Sequence, residues 1–169
     1  PYPQAHRNIS SLLQKDLIVA KKSGKSVLIS IRVDVVKKEY VEAELRRREK
    51  ILKKYVQLRV VMGDLDRISK LQYICVLFGS YAKGVPKTDS DVDLLFIIPK
   101  EYDYGTFEIL TRNAFITGNV DVNIGFDESL HEMWSTPLKL NVGNELLKGH
   151  IVLRGAEAFL EARRKHYVG

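Results

Sequence analysis

The chain is poor in the features that mark secreted, membrane-spanning and disordered proteins. Its 169 residues include one cysteine, Cys75, so no internal disulfide can form. Cys75 lies in the apolar run Ile74 to Phe78, without a neighbouring His or basic residue, and is expected to pack as a small hydrophobe rather than act as a reactive thiol. No apolar run approaches the roughly 20 residues that a membrane crossing needs. The stretch from Leu94 to Ile98 is among the longest. The opening segment carries His6, Arg7, Lys15 and Asp16 where a secretory signal would have a continuous apolar core. The expectation is a cytoplasmic chain with no membrane contact. Hydrophobic residues at 45% and charged residues at 28% lie in the globular range and support one domain or two small ones.

Charge is unevenly divided. Residues 1–70 hold 17 Lys and Arg against 8 Asp and Glu, while 71–169 hold 10 against 13, giving +9 and −3. A basic half joined to an acidic half suggests separate partners, nucleic acid for the first and metal for the second. The plainer reading is that Arg46, Arg47, Arg48, Lys50, Lys53 and Lys54 coat the outer face of a helix, offset by Glu39, Glu42, Glu44 and Glu49.

Ile9, Leu12 and Leu13 recur at helical spacing within 7–14, and 17–22 and 26–33 read as two strands joined at Ser23-Gly24, a tight-turn signal. A long helix is expected from Val35 to about Met62, a stretch with no proline or glycine, with Asp34 as N-cap. Gly63-Asp64 should break or kink it, with a short further helix over 65–71. Its imperfect apolar stripe (Val41, Leu45, Ile51, Leu52, Val56, Leu58 and Val61) marks the helix as a candidate homodimer seam. From Tyr73 onward, strands at 74–78, 91–98 and 120–124 alternate with helical stretches near 104–115 and 138–147. A short strand at 151–153 and a closing helix over 156–165 complete an α+β pattern.

The chemistry concentrates in Leu77-Phe78-Gly79-Ser80-Tyr81-Ala82-Lys83-Gly84 and the following Asp91-Val92-Asp93. Alternate residues of a strand share a face, so Asp91 and Asp93 point the same way, with α-carbons roughly 7 Å apart. Leu95 and Ile97 continue that face, while Val92, Leu94, Phe96 and Ile98 make the other face apolar, which marks a strand covered on both sides. Two carboxylates at its mouth repel each other and require a positive charge. An oxygen-only donor set suits Mg²⁺, which takes one or two carboxylates and completes its shell with water and substrate phosphate. Gly79-Ser80 ends a strand and opens a short helix, presenting backbone N–H groups and a hydroxyl to a phosphate, with Gly84 closing the turn. Neither a Walker loop nor a dinucleotide-binding glycine pattern is present. The bland alternative for Asp91 and Asp93 is a pair of solvated strand-end carboxylates.

The run LFGSYAKGVPKTDSDVDLLF resembles the nucleotidyltransferase superfamily, in which a hydrophobic strand ends in Gly-Ser and an Asp-x-Asp opens the next strand. The form is similar to the minimal nucleotidyltransferases of archaea and bacteria, related to DNA polymerase beta. The likeness extends over about 71–155, including the closing helix-strand run at 144–155. It implies a nucleotidyltransferase-fold mixed sheet with flanking helices. It also implies a metal-dependent transfer of a nucleoside monophosphate from a nucleoside triphosphate such as ATP to an acceptor. On this resemblance Asp91 and Asp93 hold Mg²⁺ against the phosphates, and Asp121 is the third carboxylate, binding a second metal or accepting the attacking proton. Gly79 and Ser80 grip the β and γ phosphates, and Lys83 and Lys87 neutralise phosphate charge. Asn123 shares the face of Asp121, and Asp127 is expected to cap the next helix.

The first 33 residues resemble the last helix and wing of a winged helix-turn-helix domain, with Lys21, Lys22 and Lys25 at the wing and Arg7 on the helix as candidate DNA contacts. The helices that precede them in that fold have no counterpart before Pro1, so the module is either continued N-terminally or a remnant. The expected organisation is a partial winged helix (1–33), a linking helix (34–70) and a nucleotidyltransferase domain (71–169). Two rival readings are a DNA-binding regulator whose second domain senses nucleotide, and an antitoxin-type enzyme that modifies or covers a HEPN toxin.

Overall fold

The computed structural model describes residues 2–115, 119–136 and 138–168. An N-terminal helix α1 (Tyr2–Gln14) leads into an antiparallel hairpin of β1 (Ile18–Ser23) and β2 (Ser26–Ile31). The hairpin turns at Gly24, whose φ of +59° is a conformation glycine adopts without steric cost. Leu17 and Ile18 are the buried residues of this module, and every residue of β2 is exposed. Arg32 ties the hairpin base together by pairing with Asp34 and, at 2.7 Å, with Asp16.

The single long helix expected from Val35 to Met62 is two helices, α2 (Lys38–Lys54) and α3 (Val56–Arg67). Between them Tyr55 is extended, with φ −124° and ψ 115°. Tertiary contacts override helix propensity there: the Tyr55 ring meets Tyr81 edge-on at 5.3 Å, and its hydroxyl donates to the Gly84 carbonyl at 2.9 Å. Asp34 does not cap α2; Lys37 occupies that position, and Asp34 is engaged by Arg32. Gly63-Asp64 does not break α3, which runs on to Arg67. The space around Gly63 is open, and Asp64 is buried beside Arg67.

The sheet has the order β5-β4-β3-β6. Strand β4 (Val92–Ile98) pairs antiparallel with β3 (Ile74–Leu77) and parallel with β5 (Val120–Phe126), while β6 (Ile151–Arg154) pairs antiparallel with β3 on the far side. The alternation in β4 divides the core as its sequence implies. Val92, Leu94, Phe96 and Ile98 join Leu58, Val61 and Leu65 of α3 and Phe107 of α5 (Tyr104–Ala114) in one cluster. Leu95 and Ile97 join Leu130 and Trp134 of α6 (Asp127–Trp134), Leu146 of α7 (Val142–Lys148) and Phe159 of α8 (Ala156–Val168) in the other. The expected helix at 138–147 is thus the shorter α7, started by Asn141, whose side chain accepts from the Asn144 N–H. Asp127 is the first residue of α6 rather than its cap, which falls at Phe126 without a side-chain bond.

Helix α2 lies along the edge strand β6. Arg47 and Arg48 donate to the carbonyls of His150 and Leu153, so these two cations satisfy a sheet edge instead of coating a solvated face. Ile51 is buried and Val41 and Leu52 pack on the core clusters, so much of the stripe considered for a dimer seam is covered by the chain itself.

Candidate active site

The apolar strand β3 delivers the chain to Phe78, and Gly79 then turns it into the short helix α4 (Gly79–Lys83). Gly79 has φ +65°, and a Cβ built there would lie 1.9 Å from Asp93 Oδ2 and 2.8 Å from its Cγ. The backbone of the Gly-Ser turn is therefore packed directly against the Asp93 carboxylate, and only glycine fits between them. Gly84, at φ +77°, closes α4 in the left-handed conformation, and its carbonyl accepts from Tyr55 and, at 3.1 Å, from Lys54.

Asp93 is the second residue of β4, and the parallel register sets it opposite Asp121 of β5. Adjacent strands lie about 4.8 Å apart, so the two carboxylates are neighbours on one face of the sheet. Asp91 precedes β4 and is exposed, as is Asp121, while Asp93 is half-buried. Burial, then the charges of Asp121 and Asp91, push the Asp93 carboxyl above its ordinary pKa, and Lys83 pulls it partly back. Asn123, two residues on, donates to Asp121 Oδ2 at 3.2 Å and fixes its orientation.

A cation placed at this mouth would remove the repulsion that raises Asp93. Among the described residues no group of three or more His, Cys, Asp or Glu forms that could hold a metal ion. The donors at the mouth are the carboxylate oxygens of Asp91, Asp93 and Asp121, the chemistry of a hard cation such as Mg²⁺, which is held by one or two carboxylates and takes its remaining ligands from water and phosphate. This donor set does not fit a structural zinc site.

The remaining residues singled out in the sequence divide clearly. Ser80 sits in the first turn of α4. Lys83, on the last turn, pairs with Glu145 of α7 at 2.9 Å. Lys87 lies in the exposed loop before β4, where its backbone N–H is held by Ser90 Oγ at 2.8 Å. Arg7, Lys21, Lys22 and Lys25 are all exposed on α1 and the hairpin, remote in sequence from the carboxylates. Cys75 is fully buried, and burial pushes its thiol pKa strongly upward. Trp134 is a core residue that donates to the Gly143 carbonyl at 3.0 Å. Sequence reasoning missed Glu145, which links α7 to Lys83 and is also held by Lys148 of its own helix, and Tyr55, which braces α4. The i,i+3 spacing of Glu145 and Lys148 was a visible signal, but its link to Lys83 spans 62 residues.

No helix among the described residues is long and apolar enough to cross a membrane. Neither a curated protein nor a solved structure matches the chain. A family model described as nucleotidyltransferase domain matches residues 58–146. The matched span begins inside α3 and runs through the Gly-Ser turn and all three aspartates into α7, covering more than half of the chain. This protein therefore belongs to the nucleotidyltransferase domain family.

Proposed function

We propose that the protein transfers a nucleoside monophosphate from a nucleoside triphosphate, ATP being the first candidate, to an acceptor hydroxyl. The observation that carries this reading is the contact between the Gly79 backbone and the Asp93 carboxylate, with Asp121 beside it in register. Gly79 and Ser80 hold the β and γ phosphates through backbone N–H groups and the Ser80 hydroxyl, and Lys83 and Lys87 offset their charge. Asp91 and Asp93 hold a divalent cation such as Mg²⁺, which when bound supplies charge to the phosphate oxygens. The acceptor oxygen attacks the α-phosphorus and the bond from that phosphorus to the bridging oxygen breaks. Pyrophosphate departs with the electron pair, and the acceptor's proton passes to Asp121, held ready by Asn123. Calorimetric titration of ATP and the other triphosphates, with and without Mg²⁺, tests the reading. Binding should require the metal and vanish in an Asp91→Asn/Asp93→Asn variant; no binding by the wild type under either condition refutes it.

The exposed hairpin supports a second, compatible role. Arg7, Lys21, Lys22 and Lys25 are presented to solvent on a basic module, and we propose that they make salt-dependent contacts to DNA phosphates. Duplex binding measured from about 50 to 200 mM salt should weaken steeply and lose about one unit of log–log slope per lysine removed. An unchanged affinity in Lys21→Gln/Lys22→Gln/Lys25→Gln would eliminate the contact.

A further inference from the structure

In one cluster beside the site this mechanism uses Lys83 but not its partners Glu145 and Lys148. Glu145 of α7 bridges two lysines, with Oε2 accepting from Lys83 Nζ at 2.9 Å and Oε1 from Lys148 Nζ at 2.8 Å. Each carboxylate oxygen serves one ammonium, as two oxygens of a phosphate would. All three side chains are open to solvent, with relative side-chain exposures of 43% for Lys83, 30% for Glu145 and 60% for Lys148. The stem of Lys83 rests near Gly149, where a Cβ would meet Lys83 Cγ at 3.7 Å, so the end of α7 is packed onto the helix that carries the Gly-Ser turn.

Stability is a poor reason for such a network. Exposed ion pairs contribute little to folding, and this network holds three long side chains in place. Its position is more telling. Lys83 lies four residues after Gly79 on α4, so it borders the place where polyphosphate would lie, and Lys148 is joined to it through Glu145. The two ammonium groups also hold Glu145 at a pKa of about 2, which keeps it anionic throughout the physiological range.

We infer that Lys83, Glu145 and Lys148 form a self-closed polyphosphate subsite, in which Glu145 occupies the place of a terminal phosphate until a polyphosphate displaces it. The inference rests on the proposed nucleotidyl transfer for the identity of its ligand. It adds Lys148 to Lys83 and Lys87 as a phosphate-binding lysine and makes Glu145 the residue that limits affinity for the triphosphate tail. A structural brace predicts the opposite sign, because removing a brace disorders the lysines and weakens binding.

The test is calorimetric titration of inorganic tripolyphosphate without metal, and of ATP with Mg²⁺, into the wild type, Glu145→Gln, Glu145→Asp and Lys148→Gln. Removing one charge about 4 Å from the ligand in water alters affinity by about fivefold. Glu145→Gln, which releases both lysines, should therefore bind tripolyphosphate about five- to tenfold more tightly. Lys148→Gln should bind it several-fold more weakly, and Glu145→Asp, which keeps the charge, should stay within about twofold of the wild type. Thermal melts confirm that each variant is folded. Unchanged or weaker tripolyphosphate binding by Glu145→Gln overturns the inference, as does the absence of binding in all four proteins. Normal Mg²⁺-dependent ATP binding in that case leaves the nucleotidyl-transfer reading intact. Tightened tripolyphosphate binding without any ATP binding has the reverse meaning, supporting the subsite and refuting nucleotidyl transfer.

Discussion

Replacing Gly79 by alanine separates two effects that the Gly-Ser turn combines. A left-handed conformation costs a non-glycine residue about 1–2 kcal/mol. At Gly79 the added Cβ also falls 1.9 Å from Asp93 Oδ2 and 3.3 Å from Asp93 Cβ, so the whole carboxylate must rotate away from the mouth of β4. Gly84 is the internal control, because it too has a positive φ, yet a Cβ there meets only Lys54 Nζ at 3.7 Å. For a chain of this size about 1 kcal/mol moves the melting temperature by roughly 2–4 °C. Gly84→Ala should therefore melt about 2–8 °C lower and keep most of its Mg²⁺-dependent ATP binding. Gly79→Ala should melt lower by at least a similar amount and also lose nucleotide binding and turnover. Misplacing a reacting group by about 1 Å can cost about 100-fold in rate, which sets the expected loss of turnover. Calorimetry with Mg²⁺-ATP and thermal melts on the same samples measure both quantities. Wild-type binding in Gly79→Ala, or an equal loss of binding in Gly84→Ala, would show that contact with Asp93 is not what requires glycine.

Other consequences follow from burial and charge. The Asp93 carboxyl titrates above its unfolded value, so the folded chain binds this proton more tightly than the unfolded chain. That stabilising contribution is present at acid pH and is lost as pH rises through the folded pKa. Asp93→Asn should accordingly melt higher than the wild type at pH 7 without metal, with the gap closing on acidification, and pH-dependent melts check the sign. Cys75 should resist thiol reagents in the native protein and react once denatured. Cys75→Ser should cost about 1–3 kcal/mol by burying a hydroxyl, read from urea unfolding. Asp103 accepts from the Thr106 N–H at 2.8 Å as the cap of α5, so Asp103→Ala should cost about 1 kcal/mol in the same assay.

The parts of this fold that were legible in the sequence are those set by short-range pattern. Strands β3 and β4 are compact apolar runs, and the alternation in β4 assigns Leu94 and Phe96 to one core cluster and Leu95 and Ile97 to the other. The turn at Gly24 and the end of α4 at Gly84 were marked by glycine, and both have positive φ. Helix α6 was signalled only by Asp127, read as the cap of a following helix; Asp127 is instead its first residue, and with only Leu130 and Trp134 of its eight residues buried no apolar stripe marks its extent. Gly63 illustrates the opposite error, since an exposed position on a helix tolerates a glycine at a modest cost and α3 continues through it.

What the sequence concealed are contacts between distant segments, and these shape the surroundings of the site. Residues 35–62 contain no helix breaker, yet the helix ends at Tyr55 because that side chain is needed elsewhere. Its hydroxyl and the ammonium of Lys54 both reach the Gly84 carbonyl, and its ring packs against Tyr81, so the α2–α3 junction supports α4 from behind. Lys83, on the same short helix, is held by Glu145 from α7. A helix of five residues has little stability of its own. Its position against Asp93 therefore depends on a segment 29 residues away in the chain, while the pairing of Lys83 with Glu145 draws on one 62 residues away. The Gly-Ser and Asp-x-Asp patterns announce the chemistry locally, while the geometry that the chemistry requires depends on residues that no local pattern identifies.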